Sequence, residues 1–160
     1  MNPTEIKNHI EKSFPESIID FDPECLEPWI SIHVHKFRSI AEYLRQTEEL
    51  HFESLMCLSG MDYKDQLGVV YHFHSYKNDH RIAIKVFLST EQPNISTISD
   101  IWRTAEWHER EAYDLFGIKF DNNPDLRRIL LPDDWEGYPL RKDYQDPKTY
   151  NEMPVLYEGP

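Results

Sequence analysis

Two neighbouring stretches of the chain alternate strictly between apolar and polar residues, a period of two that predicts β-strands with one buried face. The apolar positions are Leu67, Val69, Tyr71 and Phe73 in the first stretch and Ile82, Ile84, Val86 and Leu88 in the second. The polar link from Tyr76 to Asp79 is typical of a turn, so the two strands are predicted to form a hairpin.

Weaker patterns predict the rest of a single domain. Two helices are predicted, a short amphipathic one over Pro3–Phe14 and one over Ser39–Leu50 with Ser39 as its cap. Strands are predicted over Trp29–His35 and Glu53–Gly60. Ser96–Asp100 is predicted to cap a last helical stretch. This order favours an α+β fold, a mostly antiparallel sheet with helices packed on one face.

The last third of the chain has no hydrophobic period and many prolines, which lack an amide donor and disfavour helix at the preceding residue. We therefore predict a regular body over residues 1–118 and an extended, irregular, partner-binding arm over residues 119–160.

The helical stretch that begins at Ile101 is unusually rich in charged and aromatic residues and stops before Gly117. A helical wheel predicts an inward apolar stripe formed by Ile101, Ala105, Ala112, Leu115 and Phe116. Glu106, Arg110 and Asp114 follow at four-residue steps on the opposite face and are predicted to form an ion-pair ladder. Trp107 lies beside this ladder. It covers neighbouring charged side chains, is turned inward by a break in the helix, or is buried by a second subunit.

The arm carries Arg127, Arg128, Arg141 and Lys142 together with large aromatic residues such as Trp135. Two interpretations stay open. The arm either wraps back over its own domain or lies on a partner that presents acidic groups to these cations.

The composition of the chain argues against several classes of function. A net charge of −12 and a pI near 5.0 argue against nucleic acid binding, and no apolar run approaches the length of a membrane helix. The amino terminus does not resemble a signal peptide. Cys25 and Cys57 stand alone, so neither a disulfide framework nor a cysteine metal site is encoded. These features predict a soluble cytosolic chain that reaches a membrane only through a partner.

Candidate chemistry is sparse. His33 and His35, and likewise His72 and His74, have the spacing of residues on one side of a strand, and two such pairs on adjacent strands would suit a zinc ion. His108 and Glu111 are three residues apart on one helix face, but further ligands from other helices are not visible. Glu109 and Glu111 are predicted on opposite edges of the apolar stripe, which argues against a catalytic carboxylate pair.

Three linked motifs, however, resemble a known family. They are Glu109–Glu111 followed by Asp114–Ile118, then Pro124–Leu130, then Pro139–Tyr144. In this order they look like the C component of the proton-pumping NADH–quinone oxidoreductase, the thirty-kilodalton subunit of respiratory complex I, which has a relative in the chloroplast and cyanobacterial NDH complex. One departure stands out: Asn123 occupies the place where the family usually has histidine before Pro-Asp-Leu.

The resemblance implies a non-catalytic peripheral-arm subunit that clamps the large quinone-site subunit (the D component of the complex), with the B component and other peripheral-arm subunits nearby. It implies no cofactor in this chain, because flavin, iron–sulfur clusters and quinone belong to partner subunits. It also implies a location on the cytoplasmic side of the cell membrane, or the matrix or stromal side in an organelle. The expected interface residues are Trp107, Glu109, Arg110, Glu111, Asp114, Arg127, Arg128, Trp135, Arg141 and Lys142.

Two alternatives remain at this point. A similar subunit occurs in ferredoxin-dependent NDH and membrane-bound hydrogenase complexes, so the electron donor is open. A more distant alternative is an independent zinc-binding domain that uses His33, His35, His72 and His74.

Overall fold

The computed structural model describes residues 1–155, which form three helices and nine strands. The helices are α1 Pro3–Ser13, α2 Val34–Gln46 and α3 Ala105–Phe116. The strands are β1 Ile18–Asp22, β2 Trp29–Ile32, β3 Ser54–Asp62, β4 Gln66–Ser75, β5 His80–Ser89, β6 Asn94–Ser96, β7 Lys119–Asp121, β8 Thr149–Tyr150 and β9 Met153–Pro154. Residues 156–160 of the predicted arm lie outside the described residues.

The main sheet has five strands in the order β1-β2-β5-β4-β3. All neighbouring pairs are antiparallel except β2 and β5, which run parallel. The predicted hairpin is confirmed: β4 and β5 pair along their whole length and are joined by a turn at residues 76–79.

The core lies between one face of this sheet and the helices. All eight alternating apolar residues of β4 and β5 are buried in it, as predicted. Phe37 of α2 packs on Tyr71 with ring centroids 4.4 Å apart, and Trp102, just before α3, packs on Phe73 at 4.7 Å. The predicted α+β architecture with helices on one face is confirmed.

Helix α1 shows how local sequence sets an element. The Asn2 side chain accepts a hydrogen bond from the Glu5 amide while the Glu5 carboxylate accepts one from the Asn2 amide, which forms a capping box. Ile6 and Ile10, one turn apart, are fully buried against the sheet. The predicted helix is confirmed to within one residue at its end.

The segment after Trp29 differs from its prediction. The strand ends at Ile32 and α2 begins at Val34, so His35 lies in a helix and Ser39 lies inside that helix rather than at its cap. The physical reason is packing: an earlier helix start adds the buried Phe37 to the stripe of Ile40 and Leu44.

Several short strands have no periodic signal in the sequence. Strand β1 was not predicted, and neither was the parallel pairing of β6 with β7, which lie on either side of α3 in the chain. Because Phe120 of β7 is buried in the core, regular structure continues to Asp121, three residues beyond the predicted end of the body. Such pairings join segments that are distant in sequence, and local propensity does not reveal them.

Candidate interaction surface

Helix α3 ends where the sequence predicts. Gly117 adopts a left-handed backbone conformation, with φ of +72°, and its amide donates to the carbonyl of Tyr113. The chain then returns along the helix, and residues between Asn123 and Arg141 hydrogen-bond to α3. We call this contact region the α3–arm seam.

The centre of the α3–arm seam is the buried carboxylate of Asp114. One of its oxygens accepts hydrogen bonds from the amides of Ile129, Leu130 and Leu131 at 2.8–3.0 Å. The other accepts from the Arg128 guanidinium at 2.7 Å. A single side chain therefore satisfies three backbone donors of a segment that has no helix or strand of its own.

These donors also control the ionisation of Asp114. Burial raises the pKa of this carboxyl, but the amides of Leu131, Ile129 and Leu130 and the Arg128 guanidinium together outweigh it, so the net pKa is below its ordinary value. Arg128 in turn donates to the carbonyls of Trp135 and Gly137. The charged pair thus connects α3 to two separate parts of the arm.

Arg110 has a related role. Its guanidinium donates to the carbonyls of Arg127 and Arg128 at 3.2 and 3.0 Å and lies 3.7 Å from the carboxylate of Asp125. The predicted ladder of Glu106, Arg110 and Asp114 is therefore wrong: within residues 1–155 Arg110 pairs with neither of the other two. The three residues have the four-residue spacing of an ion-pair ladder, but Arg110 binds carbonyls and a carboxylate of the arm instead of the carboxylates of its own helix.

Glu109 is fully buried at the start of the arm. Its carboxylate accepts hydrogen bonds from the Thr97 hydroxyl at 2.5 Å, the Ile98 amide at 2.9 Å and the Asn123 carboxamide at 2.7 Å. Burial raises the pKa of Glu109 above its ordinary value, and the hydrogen bonds from Thr97, Ile98 and Asn123 offset this only in part.

Asn123 lies at the junction of the body and the arm. Its side chain donates to Glu109 and accepts from the amide of Asp125. Neither this contact nor the hydrogen bond from Thr97 to Glu109 was predicted from the sequence. The only local signal is an asparagine ahead of Pro124, a pattern that favours an Asx turn.

The end of the α3–arm seam is closed by Tyr138 and Arg141. The Tyr138 ring lies against Gly117, where an added Cβ would come within 2.5 Å of the ring. Arg141 donates to the carbonyl of Phe116 at 2.6 Å, and the Leu140 amide donates to the carbonyl of Leu115 at 3.1 Å. The amide of Lys142 donates to Asp62 of β3 and lowers the pKa of that carboxyl.

The ten predicted interface residues differ in how far they are buried within this chain. Glu109, Arg110 and Asp114 are buried inside this chain, and Arg128 and Arg141 are half-buried with polar contacts to α3 or its end. Of the remaining five, Trp135 is half-buried and donates to the hydroxyl of Tyr144, and the other four are exposed. The exposed ones are Trp107, Glu111, Arg127 and Lys142. The α3–arm seam therefore favours the interpretation in which the arm wraps over its own domain.

The geometry of the four histidines differs from the zinc prediction. His33 and His35 flank the start of α2 rather than project from a strand, and β5 separates β2 from β4. The premise of two adjacent strands is therefore wrong. In residues 1–155 no group of three or more histidine, cysteine or acidic side chains is arranged to hold a metal ion. In the same range, no helix has both the length and the apolar character needed to cross a membrane.

Comparison with known proteins is consistent with the motifs. Residues 30–150 match the family described as respiratory-chain NADH dehydrogenase, 30 Kd subunit. The C component of the NADH-quinone oxidoreductase of Chloroherpeton thalassium is 46% identical over 151 residues, which cover 92% of this chain and 63% of that relative. Its counterpart in Chlorobium phaeobacteroides is 41% identical over 152 residues, covering 92% of both chains. The chain thus spans somewhat less than two thirds of the first relative's length and most of the second's.

Solved structures show the same architecture. A trypsin-resistant fragment of Nqo5 superimposes with a TM-score of 0.64 at 26% identity, over 78% of this chain and 99% of the fragment. A chain of the membrane-bound sulfane sulfur reductase, an archaeal respiratory membrane complex, gives a TM-score of 0.74 at 21% identity, over 89% of this chain and 85% of that one. The second likeness concerns the fold alone.

Proposed function

The chain belongs to the family of the 30 Kd subunit of respiratory-chain NADH dehydrogenase, and we propose that it is a non-catalytic peripheral-arm subunit of a proton-translocating NADH:quinone oxidoreductase. Its task is to clamp the large quinone-site subunit, the D component, with the B component and other peripheral-arm subunits nearby. In this proposal flavin, iron–sulfur clusters and quinone belong to the partners, and the protein reaches the cytoplasmic side of the membrane only through the complex.

The exposure of Trp107 carries this proposal. Its indole remains 60% exposed although α3 is fixed on both sides, and the Arg110 guanidinium lies 5.2 Å from the ring centroid. Tryptophan is enriched among the residues that dominate binding energy in protein interfaces. A large aromatic side chain on a fixed support loses little conformational entropy when a partner covers it.

The arm presents a second exposed apolar residue in the same way. Leu130 is 63% exposed, whereas its own amide is bound to Asp114. The buried polar contacts of the α3–arm seam therefore fix the backbone from which Leu130 projects. Arg127 and Glu111 add exposed charges of both signs. We infer that the buried charges of α3 shape the contact surface and that the exposed residues of α3 and the arm bind the partner.

The test replaces Trp107 with alanine in the native complex. The expected result is a loss of about tenfold or more in assembled complex, since interface anchors cost ~2–4 kcal/mol when truncated. NADH:quinone turnover per assembled complex should stay unchanged. The measurement is the amount of the large quinone-site subunit that co-purifies with the tagged chain from gently solubilised membranes, together with activity.

The control is Leu26→Ala, which removes a 92% exposed apolar side chain from the loop between β1 and β2. Normal assembly of Trp107→Ala with slowed quinone reduction would contradict a purely assembling role. A purified complex that holds the large quinone-site subunit without NADH-oxidising subunits would instead favour the ferredoxin-dependent or hydrogenase-type alternative.

A further inference from the structure

The arm forms a small groove beside two of its aromatic rings. The groove has a volume of about 190 Å³ and is lined by Asp134, Trp135, Glu136 and Tyr150 among others. We call it the Trp135 groove. Small-molecule sites in proteins usually have volumes of about 300–1,000 Å³, so this groove fits one side chain of a partner better than it fits a cofactor.

A short hairpin places the two rings. Asn151 and Glu152 both have left-handed backbone conformations, with φ of +49° and +65°, which suits the two-residue turn that joins β8 to β9. The hairpin brings the Tyr150 ring to the Trp135 ring, with centroids 5.2 Å apart and planes at 47°. The Tyr150 hydroxyl donates to the carboxylate of Asp134 at 3.0 Å. The two rings and Asp134 therefore hold one another in place.

Further contacts fix Trp135 itself. Its indole N–H donates to the hydroxyl of Tyr144 at 3.1 Å. Its carbonyl accepts from the Arg128 guanidinium, which also pairs with the buried Asp114 of α3. Because the polar edge of the indole is already satisfied, Trp135 can offer a partner only the face of its ring. Such a face attracts cations, and a fixed ring loses little conformational entropy on binding.

The charges that line the Trp135 groove are negative. Asp134 and Glu136 are both exposed, and in the described part of the chain no lysine or arginine lines the groove. Neither carboxylate has an ion-pair partner within 4.0 Å in residues 1–155. The sequence left open an acidic partner for the cations of the arm, but Arg128 and Arg141 bind α3 or its end. At this groove the complementary partner is therefore a cation.

A guanidinium suits the Trp135 groove better than an ammonium does. It is planar, stacks on aromatic faces and pairs with carboxylates through two parallel hydrogen bonds. Arginine is also enriched in protein interfaces, whereas lysine is depleted there.

We propose that the Trp135 groove binds an arginine side chain of another subunit, which stacks on the rings of Trp135 and Tyr150 and pairs with the carboxylates of Asp134 and Glu136. The inference rests on the proposed function for the place where the partner is sought, the assembled complex. It adds the chemistry of one contact that the arm makes there.

The first experiment is footprinting of the purified native complex with phenylglyoxal, a reagent that modifies accessible guanidinium groups, followed by mass spectrometry. We expect one arginine of another subunit to be modified slowly in the native complex. In a Glu136→Gln complex the same arginine should react about fivefold faster or more, because a charge-assisted pair is lost. Glu24→Gln, at an exposed glutamate of the loop between β1 and β2, is the matched control.

The yield of assembled complex gives a second measure. Glu136→Lys should lower it about tenfold or more, because two cations then meet in one groove, whereas Glu24→Lys should leave it unchanged. Glu136 is exposed, so circular dichroism and thermal unfolding of the isolated Glu136→Lys chain should match those of the native chain. Trp135→Phe keeps an aromatic face and should assemble within about twofold of the native yield, whereas Trp135→Leu should not.

Three results would overturn the inference. One is an unchanged phenylglyoxal reactivity of every arginine of the other subunits when Glu136 is replaced. Carbodiimide, which couples carboxylates to amines in contact with them, detects the other two. A cross-link from Glu136 to a lysine of another subunit would assign the groove to an ammonium. A cross-link to the exposed Lys148 would show that this chain fills its own groove.

The failure of this inference is distinguishable from the failure of the proposed function. If Trp107→Ala blocks assembly and Glu136→Lys does not, the Trp135 groove is refuted as a binding site and the clamp stands. If the purified complex lacks the large quinone-site subunit while an arginine of another subunit responds to Glu136→Gln, the clamp is refuted and the groove stands.

Discussion

The body and the arm of this protein are held by different kinds of interaction. The body buries a continuous set of apolar side chains between a five-stranded sheet and its helices, so its stability is spread over many residues. Residues 122–148 of the arm contain no helix or strand and depend on a few ionised or polar side chains of α3. In the body each buried side chain supplies one part of a large total, whereas Asp114 alone accepts three amides of the arm and pairs with Arg128.

The two buried carboxylates of α3 also differ from each other, in the direction in which their pKa values shift. Asp114 faces a guanidinium and three amides, and its pKa is lowered despite burial. Glu109 has three donors but no cation, and burial raises its pKa. The two groups lie on one helix and are both fully buried, yet their pKa values shift in opposite directions, because the donors at Asp114, the Leu131 amide and Arg128 first among them, outweigh burial and the three donors at Glu109 do not.

The largest effect is expected from Asp114→Ala, which should release the arm and leave the body folded. The substitution removes the acceptor of three amides and leaves the half-buried Arg128 without its carboxylate, a change that typically costs about 3–5 kcal/mol. Hydrogen exchange should show loss of protection at Ile129–Leu131 with little change in β4 and β5.

Asp133→Ala, at an exposed acidic residue of the arm, is the matched control. The native chain should lose the stabilisation that the ionised Asp114 provides when the pH is lowered. The folded pKa of Asp114 lies below its unfolded value of about 3.9, so the stabilisation is present above that pH and is lost as the pH falls through the folded pKa. Loss of protection across the whole sheet would show that the body and the arm unfold as one unit.

The next effect concerns the junction, where Asn123→Asp places a second carboxyl against Glu109. The variant should be less stable than the native chain by about 2–3 kcal/mol at pH 7, since a charged hydrogen bond becomes a repulsion. The pair takes up a proton more readily when folded, so stability is kept below about pH 4 and lost as the pH rises. Urea unfolding from pH 4 to 8 measures this slope.

Asn122→Asp is the control for the added charge, because Asn122 is the exposed neighbour. An equal loss of stability in both variants at pH 7 would mean that contact with Glu109 adds nothing beyond the effect of one more negative charge.

A smaller effect is expected at the point where the arm packs against the end of α3. Gly117→Ala forces a side chain onto a residue with φ of +72° and brings its Cβ to 2.5 Å from Tyr138, so about 1–3 kcal/mol of stability should be lost. Thermal unfolding measures the loss.

The double variant separates the two causes. In a Tyr138→Ala background the contact with the ring is absent, and Gly117→Ala should then cost only ~1–2 kcal/mol from the backbone conformation. An unchanged cost in that background would show that the ring yields freely and that backbone strain explains the whole effect.

The smallest effect is expected inside the body, from Tyr71→Phe. The Tyr71 hydroxyl is fully buried and has no hydrogen-bond partner in residues 1–155, so its removal should leave stability within about 1 kcal/mol of the native chain or raise it slightly. Chemical denaturation of both chains is the measurement. A clear loss of stability would reveal that this hydroxyl is paired after all.

The strongest periodic signals were enough to predict the elements that form the core. The alternation in β4 and β5 and the four-residue spacing of Ile6 and Ile10 each reflect one buried face, a property that the sequence records directly. The start of α2 was misplaced because Val34 fits both a strand and a helix, and only the burial of Phe37 decides between them. The parallel pairing of β6 with β7 has no local signal because its strands are three residues long.

The sequence by itself therefore determined the α+β class, the hairpin, the end of α3 at Gly117 and the family, because each depends on residue type and spacing along the chain. Only the tertiary structure decided which charges of α3 point inward. A helical wheel places Arg110 and Asp114 at four-residue spacing on a polar face, and that face was predicted to contact a partner, whereas in the structure the arm of the same chain covers it. The arm's carbonyls and amides are the partners, and unpaired backbone groups leave no trace in a hydrophobic pattern.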